Sequence, residues 1–146
     1  IYLSPRGIKF DQAFAKDLSK EQGAIFICGR YEGVDERFLI YNNVIEVSVG
    51  DFILSGGEIG AQLMIDATVR LLPNVIGNSI GLVEESFENN LLEYPLYTYP
   101  RVWNELEVPE VLLSGDHKRI KKWKTEMSEK LTKSKRPDLW SKYIKS

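Results

Sequence analysis

Five consecutive apolar residues, Ala24-Ile25-Phe26-Ile27-Cys28, stop abruptly at Gly29-Arg30-Tyr31-Glu32-Gly33-Val34-Asp35. A run without polar residues suits a strand covered on both faces, as in a parallel α/β sheet; a half-exposed strand alternates instead. In such sheets ligands sit beyond the carboxyl ends of the strands. Gly29 and Gly33 let the backbone approach a ligand closely, and Arg30, Tyr31 and Glu32 supply groups for specificity. A binding site is expected at this strand end.

Two further segments have the same character. Ile1-Tyr2-Leu3 ends at the turn signal Ser4-Pro5-Arg6-Gly7, and Val44–Val49 ends at Gly50-Asp51. Between these β-rich runs, Asp11 is placed to cap a helix with Ala13, Phe14 and Leu18 on one face, and Asp35 to cap a short helix through Tyr41. Ser55-Gly56-Gly57 then leads into a helix over 58–72, with Ala61, Ile65 and Val69 on its apolar face and Pro73 behind it. Strands alternating with helices predict an α/β fold with a largely parallel sheet over 1–73. Parallel strands would bring the three exits to one edge. Residues 74–90 lack a hydrophobic period and read as a flexible linker. Residues 91–146 read as a small helical domain: Tyr94–Pro100 is extended because each proline disfavours helix in its predecessor, and helices follow from Asp116 and Arg136-Pro137.

Charge divides the chain as well, at residue 113. Residues 1–113 carry eight Lys and Arg against 17 Asp and Glu; residues 114–146 carry 11 against four, net +7. A basic tail on an acidic body suits a polyanion partner or a solvated lysine-rich helix face. The single cysteine, Cys28, excludes an internal disulfide and a cysteine-rich zinc site, and its apolar neighbours suit a buried small hydrophobe in a reducing cytosol. The apolar stretches are too short to span a bilayer, and no secretory signal is visible. Gly-x-x-x-x-Gly-Lys-Ser/Thr and Gly-x-Gly-x-x-Gly are both absent, which argues against a P-loop ATPase and a dinucleotide-binding fold. The start at Ile1, inside a strand, reads as a fragment or the tail of a longer protein.

Taken in order, Tyr2–Gly7, Cys28–Asp35, Ser48–Glu58, Ser86-Phe87 with Leu91-Leu92, Tyr97-Thr98-x-Pro100, Val108–His117 with Ile120 and Trp123, and Arg136–Leu139 resemble the bacterial tRNA (guanine-N1)-methyltransferases, the TrmD family. The resemblance covers nearly the whole chain with matching spacing. It implies a SPOUT-class fold, in which the chain threads a trefoil knot, an exception to the rule of unthreaded chains. It implies S-adenosylmethionine held by Leu3, Pro5, Gly29, Tyr31, Glu32, Gly33, Val49, Gly50, Asp51, Phe52, Ile53, Leu54, Gly56 and Gly57. It further implies a cytoplasmic homodimer with a shared active site, magnesium dependence without a readable ligand cluster, and a tRNA substrate. The phosphates of that tRNA would be gripped by Lys118, Arg119, Lys121, Lys122 and Lys124, with His117 beside them in a structural or RNA-contact role.

The implied reaction is methylation of N1 of the guanosine just 3′ of the anticodon, position 37, giving 1-methylguanosine. The neutral base carries a proton on N1, and negative charge grows on O6 as it leaves, so a carboxylate base and a cationic partner are needed. Arg70 matches the family's arginine near the end of the helix after Gly57. The family has Asp before the Ser-Phe pair; here the position holds Glu85, preceded by Glu84. Glu85 is the expected base, Glu84 the alternative, and a solvated acidic linker the remaining reading. A second departure is Tyr99, where the family commonly has Arg. Two other functions stay open: a non-catalytic cofactor- or RNA-binding remnant, because the chain lacks the family's N-terminal portion, and a SPOUT methyltransferase for another RNA site, against which the C-terminal motifs argue.

Overall fold

The structure is a computed structural model and describes residues 1–76 and 85–145. The chain divides into two compact units, Ile1–Gly77 and Asn78–Ser146.

The first unit is α/β. Strand β1 (Tyr2–Lys9) pairs in parallel with β2 (Glu46–Ser48), and Ile27 bridges Tyr2, also in parallel. Parallel neighbours need crossovers, and α1 (Gln12–Leu18) and α2 (Glu36–Tyr41) lie in them. The expected caps form: the Asp11 carboxylate accepts from the Phe14 N–H at 2.9 Å, and Asp35 from the Arg37 N–H at 2.8 Å. On α1 the fully buried residue is Ala15, whereas Ala13 is exposed.

β1 carries an interruption. Leu3 and Ile8 both register with Val47, so Ser4–Gly7 leaves the ladder and returns to it. Pro5 has no N–H to lose there. Arg6, in the same loop, pairs with Glu36 at the start of α2 and with Glu46 on β2 at 2.8 Å; the two carboxylates raise its pKa further above the range in which it could titrate. Gly7 returns so close to β2 that a Cβ would overlap the backbone of Glu46 and Val47.

Two expectations are corrected. Ala24–Cys28 is not covered on both faces: Ile25 is 81% exposed, and the segment contributes one bridge to one side of β1. The helix after Gly57, α3, spans Glu58–Val69 and does not reach Leu72, because Pro73 disfavours helix at Leu72 and offers no N–H to extend the ladder. Its buried residues are Gly60, Ala61, Met64 and Thr68, whereas Ile65 and Val69 are exposed. This helix is apolar on nearly every side, so period alone selects no face. Small size selects it instead: a Cβ on Gly60 would stand 3.1 Å from the Leu3 side chain.

In the second unit, residues 91–98 are neither helix nor strand, and the Leu92 N–H is received by Thr132 Oγ1 at 2.8 Å. A hairpin follows that the sequence reading does not anticipate, β3 (Val102–Trp103) against β4 (Leu106–Glu107). Its two-residue turn, Asn104-Glu105, has φ +48 and +64. Such turns favour Asn-Gly, and Glu105 in the second position disguises this one. Short helix α4 (Glu110–Leu113) precedes α5 (His117–Lys135) and α6 (Pro137–Tyr143). Asp116, not His117, caps α5, accepting from the Lys118 and Arg119 N–H groups at 3.0 and 3.1 Å. Tyr143 donates its hydroxyl to Glu129 at 2.7 Å, which ties α6 to α5 and raises the phenol's pKa. Among the described residues no helix is long and apolar enough to cross a membrane.

Candidate active site

A cleft of about 310 Å³ opens in the first unit where the mid-strand excursion of β1 meets the loops that follow Ile27 and β2. The Ser4-Pro5 excursion of β1, the Gly29–Gly33 loop and the loop from Val49 to the start of α3 form its walls. Segments 50 residues apart in sequence thus converge, because parallel pairing brings the loops after Ile27 and β2 beside the β1 excursion. Leu3, Pro5, Gly29, Tyr31, Glu32, Gly33, Val49, Gly50, Phe52, Ile53, Leu54, Gly56 and Gly57 all line the cleft. Asp51 does not; its side chain is exposed outside the lining.

Tyr2, Ser4, Arg30, Ser55 and Gly60 line the cleft as well, and they change the meaning of the glycines. A Cβ on Gly29 would stand 3.0 Å from the Tyr2 ring, one on Gly33 3.0 Å from the Tyr2 hydroxyl, and one on Gly57 3.0 Å from the Cys28 backbone. These glycines therefore bring the protein's own segments together before they admit any ligand. The apolar–apolar–Gly-x-x-x-Gly pattern announces the close approach, but only pairing with β1 shows that Tyr2 is its object.

At one side, Arg30 donates from Nε at 3.0 Å and from Nη2 at 2.6 Å to Glu58 Oε1. The Glu58 carboxylate accepts from its own backbone N–H at the start of α3 and from Arg30, and both hold its pKa below the ordinary range. Tyr31 stands at φ +58 with its side chain fully exposed. A left-handed conformation costs a non-glycine residue roughly 1–3 kcal/mol, and here no packing of the ring offsets it.

Arg70 follows the last residue of α3, its backbone N–H bonded to the Asp66 carbonyl at 3.2 Å. Glu85 belongs to the second unit and is half-buried. It precedes a closed turn in which Ser86 Oγ accepts from the Glu93 N–H at 2.9 Å and the Phe87 N–H reaches the Leu91 carbonyl at 2.7 Å. Glu84 and the stretch 77–83 of the expected linker lie outside the described residues. His117, Lys118, Arg119, Lys121 and Lys122 are exposed on the first turns of α5. Lys124 is half-buried, with its ammonium 4.4 Å from the Tyr94 ring centroid. Among the described residues no group of three or more His, Cys, Asp and Glu is gathered to hold a metal ion.

The sequence model of the family described as tRNA (Guanine-1)-methyltransferase TrmD matches residues 1–142. The chain belongs to the TrmD family. It is 57% identical over 145 residues to the tRNA (guanine-N(1)-)-methyltransferase of Pelagibacter ubique, covering 99% of this chain and 64% of that protein. It is 55% identical over 141 residues to the protein of that name in Roseobacter denitrificans, covering 97% and 58%. The Bartonella bacilliformis protein of the same name is 53% identical over 146 residues, covering 100% and 63%. The chain thus spans about three fifths of the length of these curated relatives. The walls of the cleft come mostly from the segments that carry the resemblance, through residues 2–5, 29–33, 48–50 and 52–57.

Proposed function

We propose that this chain is the larger part of a tRNA (guanine-N1)-methyltransferase acting on guanosine 37 with S-adenosylmethionine, in a SPOUT fold with a trefoil knot. The observation that carries the reading is the convergence of the β1 excursion and the loops after Ile27 and β2 on one cleft in a chain of the TrmD family. The cleft suits S-adenosylmethionine: Leu3, Phe52, Ile53 and Leu54 offer flat apolar walls, glycine-rich backbone offers donors and acceptors, and the volume falls in the range of small-molecule sites. The described residues present no ligand set for magnesium.

When bound, S-adenosylmethionine supplies a sulfonium methyl already activated for transfer, so the protein needs no nucleophile of its own. Glu85 takes the proton from guanine N1, which frees the N1 electron pair for the methyl group that bound S-adenosylmethionine would supply. Arg70 stabilises the charge that grows on O6. A base one methylene longer than aspartate must find its geometry in the turn that follows, since a displacement of about 1 Å can cost on the order of 10²-fold in rate. Lys118, Arg119, Lys121, Lys122 and Lys124, with His117, hold the tRNA backbone, and the target guanosine leaves its stack to enter the pocket.

Exposed apolar residues on α3, Ile59 at 60% and Leu63 at 46% among them, supply a surface for the homodimer in which one subunit's cofactor meets the other's second unit. A tRNA substrate fits a cytoplasmic enzyme. The test is transfer of labelled methyl to a tRNA transcript with guanosine 37, against the same transcript with adenosine there. Labelling of the first alone is expected; equal labelling of both would overturn the specificity.

A further inference from the structure

The second unit has a cleft of its own, about 440 Å³, between the extended segment before Pro100 and the β3–β4 hairpin. Its walls include Tyr97, Tyr99, Arg101, Trp103 and Glu107. Tyr99 is 89% exposed and Trp103 63%. Rings left this open in one small unit have an unmet use.

The cleft is continuous with the basic helix. The Tyr97 ring, 45% exposed, lies 6.2 Å from Trp123 on α5, Trp123 lies 6.5 Å from Tyr94, and the Lys124 ammonium stands over Tyr94. Lys121 and Lys122, both exposed, adjoin Trp123 in the chain. Aromatic faces interleaved with ammonium groups are what unpaired nucleic acid requires: rings stack on bases, and cations follow the phosphates. A peptide partner would ask for an apolar groove without this flanking charge. The carboxylate in the cleft, Glu107, is an acceptor suited to amino and imino edges of guanine or cytosine.

We propose that this cleft stacks unpaired bases of the RNA substrate, with Tyr99 and Trp103 as the stacking faces and the α5 lysines on the adjoining phosphates. The proposal rests on the reading that the protein binds RNA. Affinity of the intact protein for an anticodon stem-loop RNA, measured across a salt series, tests it. Tyr99→Ala and Trp103→Ala should each weaken binding about fivefold or more, the loss of a stack of roughly 1 kcal/mol or above at 1.4 kcal/mol per tenfold. Their salt dependence should match the unmodified protein's, because stacking releases no counterions, and Trp103→Phe should restore most of the affinity. Lys121→Ala with Lys122→Ala should weaken binding with a shallower salt slope.

Alanine variants that bind like the unmodified protein, while the lysine variant is weakened, would overturn the base-stacking cleft and leave RNA binding intact. An unmodified protein that binds no RNA would overturn both. Alanine variants with unchanged RNA affinity whose oligomers dissociate by light scattering would make the cleft a protein interface and overturn the proposal.

Discussion

Replacing Gly7 with alanine isolates the β1 excursion from every other feature of the first unit. Gly7 has no positive φ that would exclude a side chain. On conformational entropy alone, Gly7→Ala should therefore stabilise by about 0.4–1 kcal/mol. Packing dictates the opposite sign. The new methyl would overlap the backbone of Glu46 and Val47, which cannot swing aside as a flexible side chain would. Relief requires β1 to lift from β2 where Ile8 and Lys9 register with Val47 and Ser48, next to the Phe10 N–H to Ser48 carbonyl bond of 2.8 Å. Losing one or two such bonds costs about 1 kcal/mol each, and overpacking a rigid site typically adds about 1–3 kcal/mol. After the entropy gain, a net loss of roughly 2–4 kcal/mol remains. For a unit of this size each kcal/mol lowers the midpoint by about 4–8 °C. Calorimetry should show the first unit melting roughly 8–32 °C lower, and titration calorimetry should show weaker binding of S-adenosylmethionine, because Leu3, Ser4 and Pro5 on the excursion wall the cleft. A Gly7→Ala protein as stable as its parent, with unchanged cofactor affinity, would refute the close crossing of β1 over β2.

Three other perturbations give distinct outcomes. Glu85→Gln should lower single-turnover methyl transfer by about 10²–10⁴-fold, the usual contribution of a general base, with cofactor affinity unchanged by calorimetry. Asp116→Ala should cost about 1 kcal/mol in urea unfolding through loss of the α5 cap, and Asp116→Ser should recover most of it. The Arg136 guanidinium holds the Asp138 carboxyl at about 2, down from 3.8. A depressed carboxyl contributes stability above its unfolded value and loses it as pH falls. The start of α6 should therefore keep its amide protection at pH 4 and surrender it toward pH 2. Carbon NMR should place the Asp138 midpoint near the lower value and move it upward in 1 M salt, since the pair is exposed.

How much of this can be read from the chain depends on whether a feature is decided locally. The caps at Asp11, Asp35 and Asp116 are local, since one carboxylate meets N–H groups two or three residues away, and each is legible in the sequence. The three strand exits are legible because glycine and proline punctuate apolar runs there. The return of β1 at Ile8 is not, since Ser-Pro-Arg-Gly reads as the end of a strand and only pairing with Val47 on both sides resumes it. The buried face of α3 is set where Gly60 fits against Leu3, a tertiary fact that an all-round apolar helix cannot announce. Proximity of Glu85 to Ser86-Phe87 is legible only as a motif, because a working carboxylate in a polar segment has the composition of a solvated one. The chemistry of the proposed function deepens that silence. Transfer from a sulfonium needs no nucleophile, triad or metal cluster, so the residue patterns that advertise other enzymes have no reason to be present. What remains for the chain to encode is the geometry around two substrates. That geometry rests on glycines whose first contacts are Tyr2, Cys28 and Leu3. Substitutions at Gly29, Gly33, Gly57 and Gly60 should consequently be felt in folding before they are felt in cofactor binding.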